Sequence, residues 1–121
     1  MNLNDHFTIF VEGHPGLTYG RIFDSLPHYL AKMKTRPIDI LLIDVGTNDL
    51  CHPDNLPEIV VDQALKFLDE LRSNHIKPKR ILFLSVIKRS VISRPGQVTC
   101  STFNHRVKDF NRLLNEQLRE I

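Results

Sequence analysis

Apolar residues follow two patterns along the chain, and these predict alternating strands and helices. Three short runs rich in apolar and β-branched residues are typical of strands: residues 7–12 (FTIFVE), 38–45 (IDILLIDV) and 81–87 (ILFLSVI). The second run is almost continuously apolar, which is typical of a parallel strand covered on both faces. The three runs therefore predict a small buried sheet.

Apolar residues recur at helical spacing in three further segments, which are residues 18–33, 57–74 and 103–121. Pro27 interrupts the first segment and predicts a kink, or two short helices that meet there. Residues 88–101 contain Pro95-Gly96 and predict a surface loop. The resulting order, β-α-β-α-β-α, predicts an α/β fold with a parallel sheet and right-handed crossovers.

Composition narrows the classes of function. A length of 121 residues fits one small domain. Hydrophobic residues make up 41% of the sequence and charged residues 25%, which is ordinary for a globular protein. A net charge of +2 with scattered basic residues does not favour a nucleic-acid partner. No apolar run approaches the roughly 20 residues that span a bilayer. The N-terminus has no signal-peptide pattern, so we expect a cytoplasmic protein.

The two cysteines, Cys51 and Cys100, do not form a C-x-x-C pair. This spacing does not favour a zinc ribbon or thioredoxin-like chemistry. A disulfide between them stays open, although a reducing compartment is the simpler interpretation. Nothing in the sequence indicates a metal or a cofactor.

Two glycine-containing loops stand where the predicted sheet would bind a ligand, beyond the carboxyl ends of its strands. These loops are Gly13–Gly16 and Gly46–Asp49. Gly46 has no Cβ and permits a sharp turn after a buried strand. The Asn48 amide that follows is a donor suited to an oxyanion formed during acyl transfer. Because Asn and Asp are common in turns, an ordinary strand-to-helix turn explains the motif equally well.

Longer segments around both loops resemble conserved blocks of the SGNH (GDSL-type) hydrolase family. Residues 38–50 (IDILLIDVGTNDL) resemble its third block, in which an apolar strand runs into Gly-x-Asn-Asp. Residues 11–23 (VEGHPGLTYGRIF) resemble its second block, and residues 81–90 and 103–118 resemble the next strand and helix. The resemblance covers nearly the whole chain. It implies a three-layer α/β/α fold with a flavodoxin-like parallel sheet, present here as about three strands and three to four helices.

The resemblance also implies chemistry, which is hydrolysis of an acyl ester or an acetylated glycan through a serine nucleophile. It assigns the oxyanion donors to the Gly16 N–H and the Asn48 side chain. The supporting loop residues are then Gly46, Thr47, Asp49 and His14, and His52 is a further loop candidate.

The serine motif and the Asp-x-x-His motif of the family are not found at the corresponding positions of this sequence. Its serine lies in a Gly-Asp-Ser turn before the second block, and its Asp-x-x-His lies after the last matching helix. Asp24-Ser25-Leu26 spells part of the serine motif, but it lies inside a helical pattern, so we interpret it as a coincidence. We therefore expect a partial esterase domain over residues 1–121 that lacks a nucleophile and its base and does not turn over by itself.

Two other functions stay open. The chain could be a non-catalytic ligand-binding or interaction module that uses the cleft inherited from the family. Gly13, Gly16 and Gly20 could also begin a nucleotide-binding helix, although their spacing matches neither G-x-G-x-x-G nor the P-loop.

The resemblance also bears on stability. The segments that resemble the family leave out the first strand, which is central in a flavodoxin-like sheet, so we expect marginal stability and open strand edges.

Overall fold

The structure is a computed structural model that describes residues 11–89 and 96–119. Its elements, in chain order, are α1 (Tyr19–Asp24), α2 (Leu26–Lys34), β1 (Ile40–Ile43), α3 (Thr47–Cys51), α4 (Pro57–Ser73), β2 (Arg80–Phe83) and α5 (Cys100–Arg119). The two strands pair in parallel, with Ile40 opposite Arg80 and Ile43 opposite Phe83. The chain has an α/β fold, as the order of its apolar patterns predicted.

The first predicted strand, residues 7–12, lies mostly outside the described residues. Val11 and Glu12 are described and belong to no strand. Strand β1 lies inside its predicted run, 38–45, whereas β2 begins one residue before its predicted run, 81–87, and both strands are shorter than predicted. Backbone hydrogen bonds continue the pairing at both ends, from Arg80 N–H to Asp39 O (3.0 Å) and from Leu84 N–H to Ile43 O (2.9 Å).

Pro27 divides the first helical segment into two short helices, as predicted. It occupies the second position of α2, where the N–H that proline lacks would have no partner within the helix. The preceding helix, α1, has Thr18 as its N-cap, and the Thr18 side chain accepts a hydrogen bond from Arg21 N–H (3.2 Å). Helix α4 begins at Pro57 and ends before Asn74, also as predicted.

Two features of the helices differ from the prediction. Residues 46–49 were expected to form a polar turn, but Thr47–Cys51 form the short helix α3. Helix α5 begins at Cys100, inside the predicted loop 88–101. The Thr99 hydroxyl explains this earlier start, since it accepts a hydrogen bond from Thr102 N–H (3.2 Å) in the manner of an N-cap.

Helix α4 lies at the centre of the helical layer and packs against α1, α3 and α5. The largest fully buried side chains are Tyr19, Leu50, Val60, Leu71, Phe103, Val107 and Phe110. On the sheet, Ile43 is buried, and Leu41, Ile81 and Phe83 pack partly buried against this core. One face of the sheet therefore faces the helices.

The opposite face of the sheet is exposed. The exposed fractions of Ile40 and Leu42 on β1 are 51% and 58%, and those of Leu82 and Leu84 are 47% and 45%. The expectation that the run 38–45 is covered on both faces is therefore wrong for the described structure. The physical reason is that the buried side chains of all five described helices belong to one core, which packs against the face of the sheet that carries Leu41, Ile43, Ile81 and Phe83.

Two asparagines of α5 hold the segment that follows β2. Asn111 accepts a hydrogen bond from Val86 N–H and donates one to Val86 O, both at 3.0 Å. Asn104 makes the same pair of bonds with Arg89 N–H and O, both at 2.8 Å. Each side-chain amide makes the two hydrogen bonds that the backbone of a neighbouring strand would otherwise make. Helix α5 therefore fixes the path of the chain beyond β2.

Candidate functional site

The first predicted site loop is a tight Pro-Gly turn. Leu17 N–H donates to His14 O (3.2 Å), and Gly16 has a φ of +70°. Proline followed by a residue of positive φ is the signature of a type II turn, and it requires glycine at the second of these positions. The turn uses the N–H of Leu17, whereas the N–H of Gly16 donates to no residue in the described part of the chain.

The second predicted site loop follows β1 directly and carries Asn48 on α3. The Asn48 side-chain nitrogen donates to Leu17 O at 3.2 Å. This bond joins α3 to the residue next to Gly16, so the structure brings the two predicted loops together. The amide has a second hydrogen, which forms no bond to any residue between 11 and 89 or 96 and 119. Thr47, the first residue of α3, is half-buried.

Gly46 is the turn between β1 and α3, and it is buried. Its φ of +135° is strained for any residue with a Cβ. A Cβ at this position would lie 3.3 Å from a ring carbon of Phe110 and 3.3 Å from a methyl group of Val86. Glycine is therefore strongly favoured here by the backbone conformation, and the close packing of α5 adds to this preference.

Asp49 is buried, with 2% of its surface exposed, and it holds the start of α1. Both of its carboxylate oxygens accept hydrogen bonds from Tyr19 N–H, at 3.2 and 3.3 Å. The first turn of a helix has N–H groups without partners in the helix, and a carboxylate is a strong acceptor for them. Asn48 and Asp49 thus bind α3 to Leu17 and Tyr19, both in the segment that follows Gly16.

Burial raises the pKa of Asp49 to about 6, because the charged carboxylate has lost most of its water. The hydrogen bonds from Tyr19 N–H and from its own backbone N–H act in the opposite direction and limit the rise. Burial also raises the pKa of Tyr19, with the Asp49 charge as a second cause. The Tyr19 hydroxyl lies 3.5 Å from Val45 O.

His14, the third predicted component, lies in the first loop but outside this hydrogen-bonded group. Its Nε2 is 3.0 Å from Glu12 Oε1, and its ring is exposed. Glu12 also binds Lys32 Nζ at 2.8 Å and lies 3.5 Å from His28 Nε2. The hydrogen bonds from Lys32 and His14 lower the pKa of Glu12 to about 2. These contacts tie the residues before the Pro-Gly turn to α2.

Asp49-Leu50-Cys51-His52 has Asp-x-x-His spacing, which the sequence interpretation overlooked. The structure separates the two side chains. Asp49 is buried against α1, whereas the His52 ring is exposed and its Nδ1 accepts from Asp54 N–H (3.2 Å). The two side chains therefore form no hydrogen bond with each other in this structure, and His52 is an exposed loop residue.

Beside the Pro-Gly turn lies an open cleft of about 500 Å³. Its lining includes His14, Leu17, Arg21, Ser25, His28 and Tyr29. Ser25 stands between α1 and α2 as the N-cap of α2, and its hydroxyl makes no hydrogen bond to the described residues. Since it follows a helix and not a strand, its setting agrees with the interpretation of Asp24-Ser25-Leu26 as a coincidence.

Neither metal ligation nor membrane insertion receives support from the described residues. Within residues 11–89 and 96–119, no group of three or more His, Cys, Asp or Glu side chains is arranged to hold a metal ion. None of the helices described is both long and apolar enough to cross a membrane. Cys51 and Cys100 are both free thiols.

Comparison with known proteins identifies the family. The family model for the GDSL-like lipase/acylhydrolases matches residues 15–121, which include the Pro-Gly turn, Asn48 and every described helix and strand. No curated protein and no solved structure matches the chain significantly. The family match covers far more than half of the sequence, and it agrees with the α/β fold and the parallel sheet. The chain belongs to the GDSL-like lipase/acylhydrolase family.

Proposed function

We propose that this chain supplies the oxyanion-binding part of an acylhydrolase site, with the Gly16 N–H and the Asn48 amide as the two donors. The observation that carries the proposal is the 3.2 Å hydrogen bond from Asn48 Nδ2 to Leu17 O. It holds the Asn48 amide beside the residue that follows Gly16. The Gly16 N–H and the second Asn48 hydrogen have no partner among the described residues, so both are free to donate to a ligand.

The chemistry follows from where charge develops in acyl transfer. A nucleophilic oxygen adds to the ester carbonyl carbon, and the electron pair of the C=O double bond moves to the carbonyl oxygen. That oxygen becomes an anion and accepts hydrogen bonds from Gly16 and Asn48. Donors that are already in place stabilise this intermediate without reorganisation, and loss of one such donor typically lowers kcat by about 10²–10³-fold.

In this proposal, Gly16 and Asn48 supply only the oxyanion donors, and other residues supply the nucleophile and its base. Ser25 lies at a helix junction, and the hydrogen bonds of Asp49 and His52 lead to different partners. An unactivated serine is a poor nucleophile, so the oxyanion donors by themselves do not sustain an esterase cycle. We therefore propose that the 121 residues are catalytically incomplete.

A second function, a non-catalytic ligand-binding module, is favoured by the cleft of about 500 Å³. Leu17 lines this cleft and also accepts the Asn48 hydrogen bond, so the cleft and the oxyanion donors adjoin each other. In this alternative, ligand binding depends on Arg21 and Tyr29 in the cleft and is independent of Asn48.

Calorimetric titration with butyl methylphosphonate tests the proposal, because this tetrahedral anion mimics the charge and shape of the acyl-transfer intermediate. We expect the wild-type chain to bind it and Asn48→Ala to lose the binding. Asn115→Ala is the matched control, since Asn115 is exposed on α5, and it should bind as the wild type does. Affinity that survives Asn48→Ala but is lost in Tyr29→Ala would support the binding module instead. Failure of the wild type to bind would contradict both functions.

A further inference from the structure

Arg106 on α5 makes an unusual set of bonds to the loop that follows α3. Its Nη1 lies 2.7 Å from His52 O and 3.1 Å from Asn55 O, and its Nη2 lies 2.9 Å from Pro53 O. Leu50 O is a fourth neighbour at 3.4 Å from Nη1. Because Nη1 has two hydrogens, the bonds to His52 and Asn55 are the strong ones and the Leu50 contact is secondary.

These carbonyls belong to the end of α3 and the turn after it. Pro53 disfavours helical conformation at His52, which has a ψ of 132°, so the helix stops at Cys51. The turn is tied back to α3 by the Asn55 side chain, which donates to Asp49 O at 3.0 Å. A guanidinium group bound to these carbonyls therefore restrains the carboxyl end of α3.

Helix α3 has only five residues, too few to be stable without external contacts. Its amino end is held at Gly46 by the close approach of Phe110. Its carboxyl end is held by Arg106. Residues 106 and 110 are four positions apart and lie on the same face of α5, so one helix holds both ends of α3.

We propose that Arg106 is a positioning residue for the Asn48 oxyanion donor. Asn48 lies between the two restrained ends of α3, and its hydrogen bond to Leu17 O depends on the orientation of that helix. Arg106 reaches Asn48 only through the loop 52–55 and α3. The inference rests on the proposed role of Asn48, but it makes a separate claim, which is that loss of the guanidinium releases the Asn48 amide.

The test compares Arg106→Met with Arg112→Met in the 121-residue chain. Arg112 lies on the same helix and is exposed, and its ion pairs with described residues are those with Asp109 and Glu116, so its loss is the matched control. Three quantities are measured for each variant: butyl methylphosphonate affinity, the NMR line widths and shifts of the Asn48 side-chain amide, and the melting temperature. Asn48→Ala identifies the amide signals.

In folded Arg106→Met, we expect the phosphonate affinity to fall by about tenfold or more, because small displacements of a positioned group have large effects. We also expect the Asn48 signals to shift or broaden, while Arg112→Met changes neither. Arg106→Lys should recover part of both effects, since one ammonium group cannot replace two guanidinium nitrogens. If Arg106→Met does not fold, the same comparison is made with Arg106→Lys.

A lower melting temperature with unchanged Asn48 signals and unchanged affinity would overturn the inference and leave Arg106 a structural residue. That result would leave the proposed function intact, provided that the wild type binds the phosphonate through Asn48. If the wild type does not bind, the proposed function fails, and the Asn48 amide signals in Arg106→Met still decide whether Arg106 positions that side chain.

Discussion

Gly46 is the residue at which backbone conformation and packing constrain the site most strongly. Its φ of +135° disfavours a side chain, and a Cβ would make tight contacts of 3.3 Å with Phe110 and Val86. The sequence predicted that a residue without a Cβ was needed here. It did not predict which side chains close over the glycine, because Val86 and Phe110 lie 40 and 64 positions further along the chain.

Gly46→Ala should destabilise the chain by about 3 kcal/mol, the sum of left-handed backbone strain and overpacking. Gly96→Ala is the matched control, because Gly96 also has a positive φ (+82°) but has open space around it. Gly96→Ala should lower the free energy of unfolding only by the backbone strain, about 1–2 kcal/mol. Chemical denaturation of both variants measures the difference, and equal losses would show that the contact with Phe110 and Val86 is unimportant.

Asp49 gives the chain a pH dependence of defined sign. Its pKa is raised from an ordinary value of 3.8 to about 6, so the folded state holds its proton more tightly than the unfolded state does. Stability from this group is then fully present below pH 4 and is lost as the pH rises to about 6.

Asp49→Asn isolates this effect, since the amide oxygen still accepts from Tyr19 N–H but does not ionise. Between pH 4 and pH 7, the unfolding free energy of the wild type should fall relative to that of Asp49→Asn, by at most about 3 kcal/mol. Urea denaturation across this pH range makes the measurement. A difference that is flat or that rises with pH would contradict the raised pKa.

At the scale of elements, α5 organises the site although it contributes no residue to the proposed donors. It closes over Gly46 through Phe110, and it fixes the segment after β2 through Asn104 and Asn111. Helical periodicity predicted this helix and its buried stripe. The polar contacts of its flanks were not predicted, because asparagine on a helix flank has no periodic signal.

Asn111→Ala should cost about 1–3 kcal/mol, since it leaves the N–H and C=O of the buried Val86 without partners. Asn115→Ala, four residues further along α5, changes an exposed side chain and should stay within about 0.5 kcal/mol of the wild type. Thermal denaturation compares the two. Similar losses in both variants would mean that the bonds to Val86 contribute little.

Local pattern predicted most elements but missed α3. Strands β1 and β2 and helices α1, α2 and α4 lie where apolar periodicity and prolines indicated. A five-residue helix has no periodicity of its own, and α3 depends on contacts from α5, which are distant in sequence. For the same reason the sequence predicted Asn48 as a candidate site residue but did not reveal the contacts of Arg106 with the loop after α3.

For the whole molecule, the main consequence of the fold is an exposed apolar sheet face. Ile40, Leu42, Leu82 and Leu84 are each between 45% and 58% exposed on neighbouring strands. Continuous apolar sequence in β1 predicted coverage on both faces, but the described helices lie on one side. Exposed apolar strands favour association between copies, so we expect this face of the sheet to promote aggregation.

Replacing Leu42 and Leu82 together by threonine should reduce aggregation without loss of the fold, because threonine favours strands and is compatible with an exposed position. Light scattering at increasing protein concentration provides the measurement. Replacing the buried Ile43 by threonine is the contrasting change and should destabilise the chain. Unchanged scattering in the double variant would show that this face does not drive association.

The proposed catalytic incompleteness concerns the whole chain and can be tested directly. We expect no hydrolysis of p-nitrophenyl acetate above the buffer rate, and no difference between the wild type and Ser25→Ala. Turnover that disappears in Ser25→Ala would identify Ser25 as a nucleophile and contradict its interpretation as a coincidental motif.

The most direct test of the central claim is an NMR titration that follows the Gly16 backbone N–H and the Asn48 side-chain amide together while butyl methylphosphonate is added. If both groups donate to one anion, both signals move downfield and reach half of their shift at the same phosphonate concentration. A phosphonate that shifts neither signal, or that shifts only one of them, would contradict the assignment of Gly16 and Asn48 as a pair of oxyanion donors.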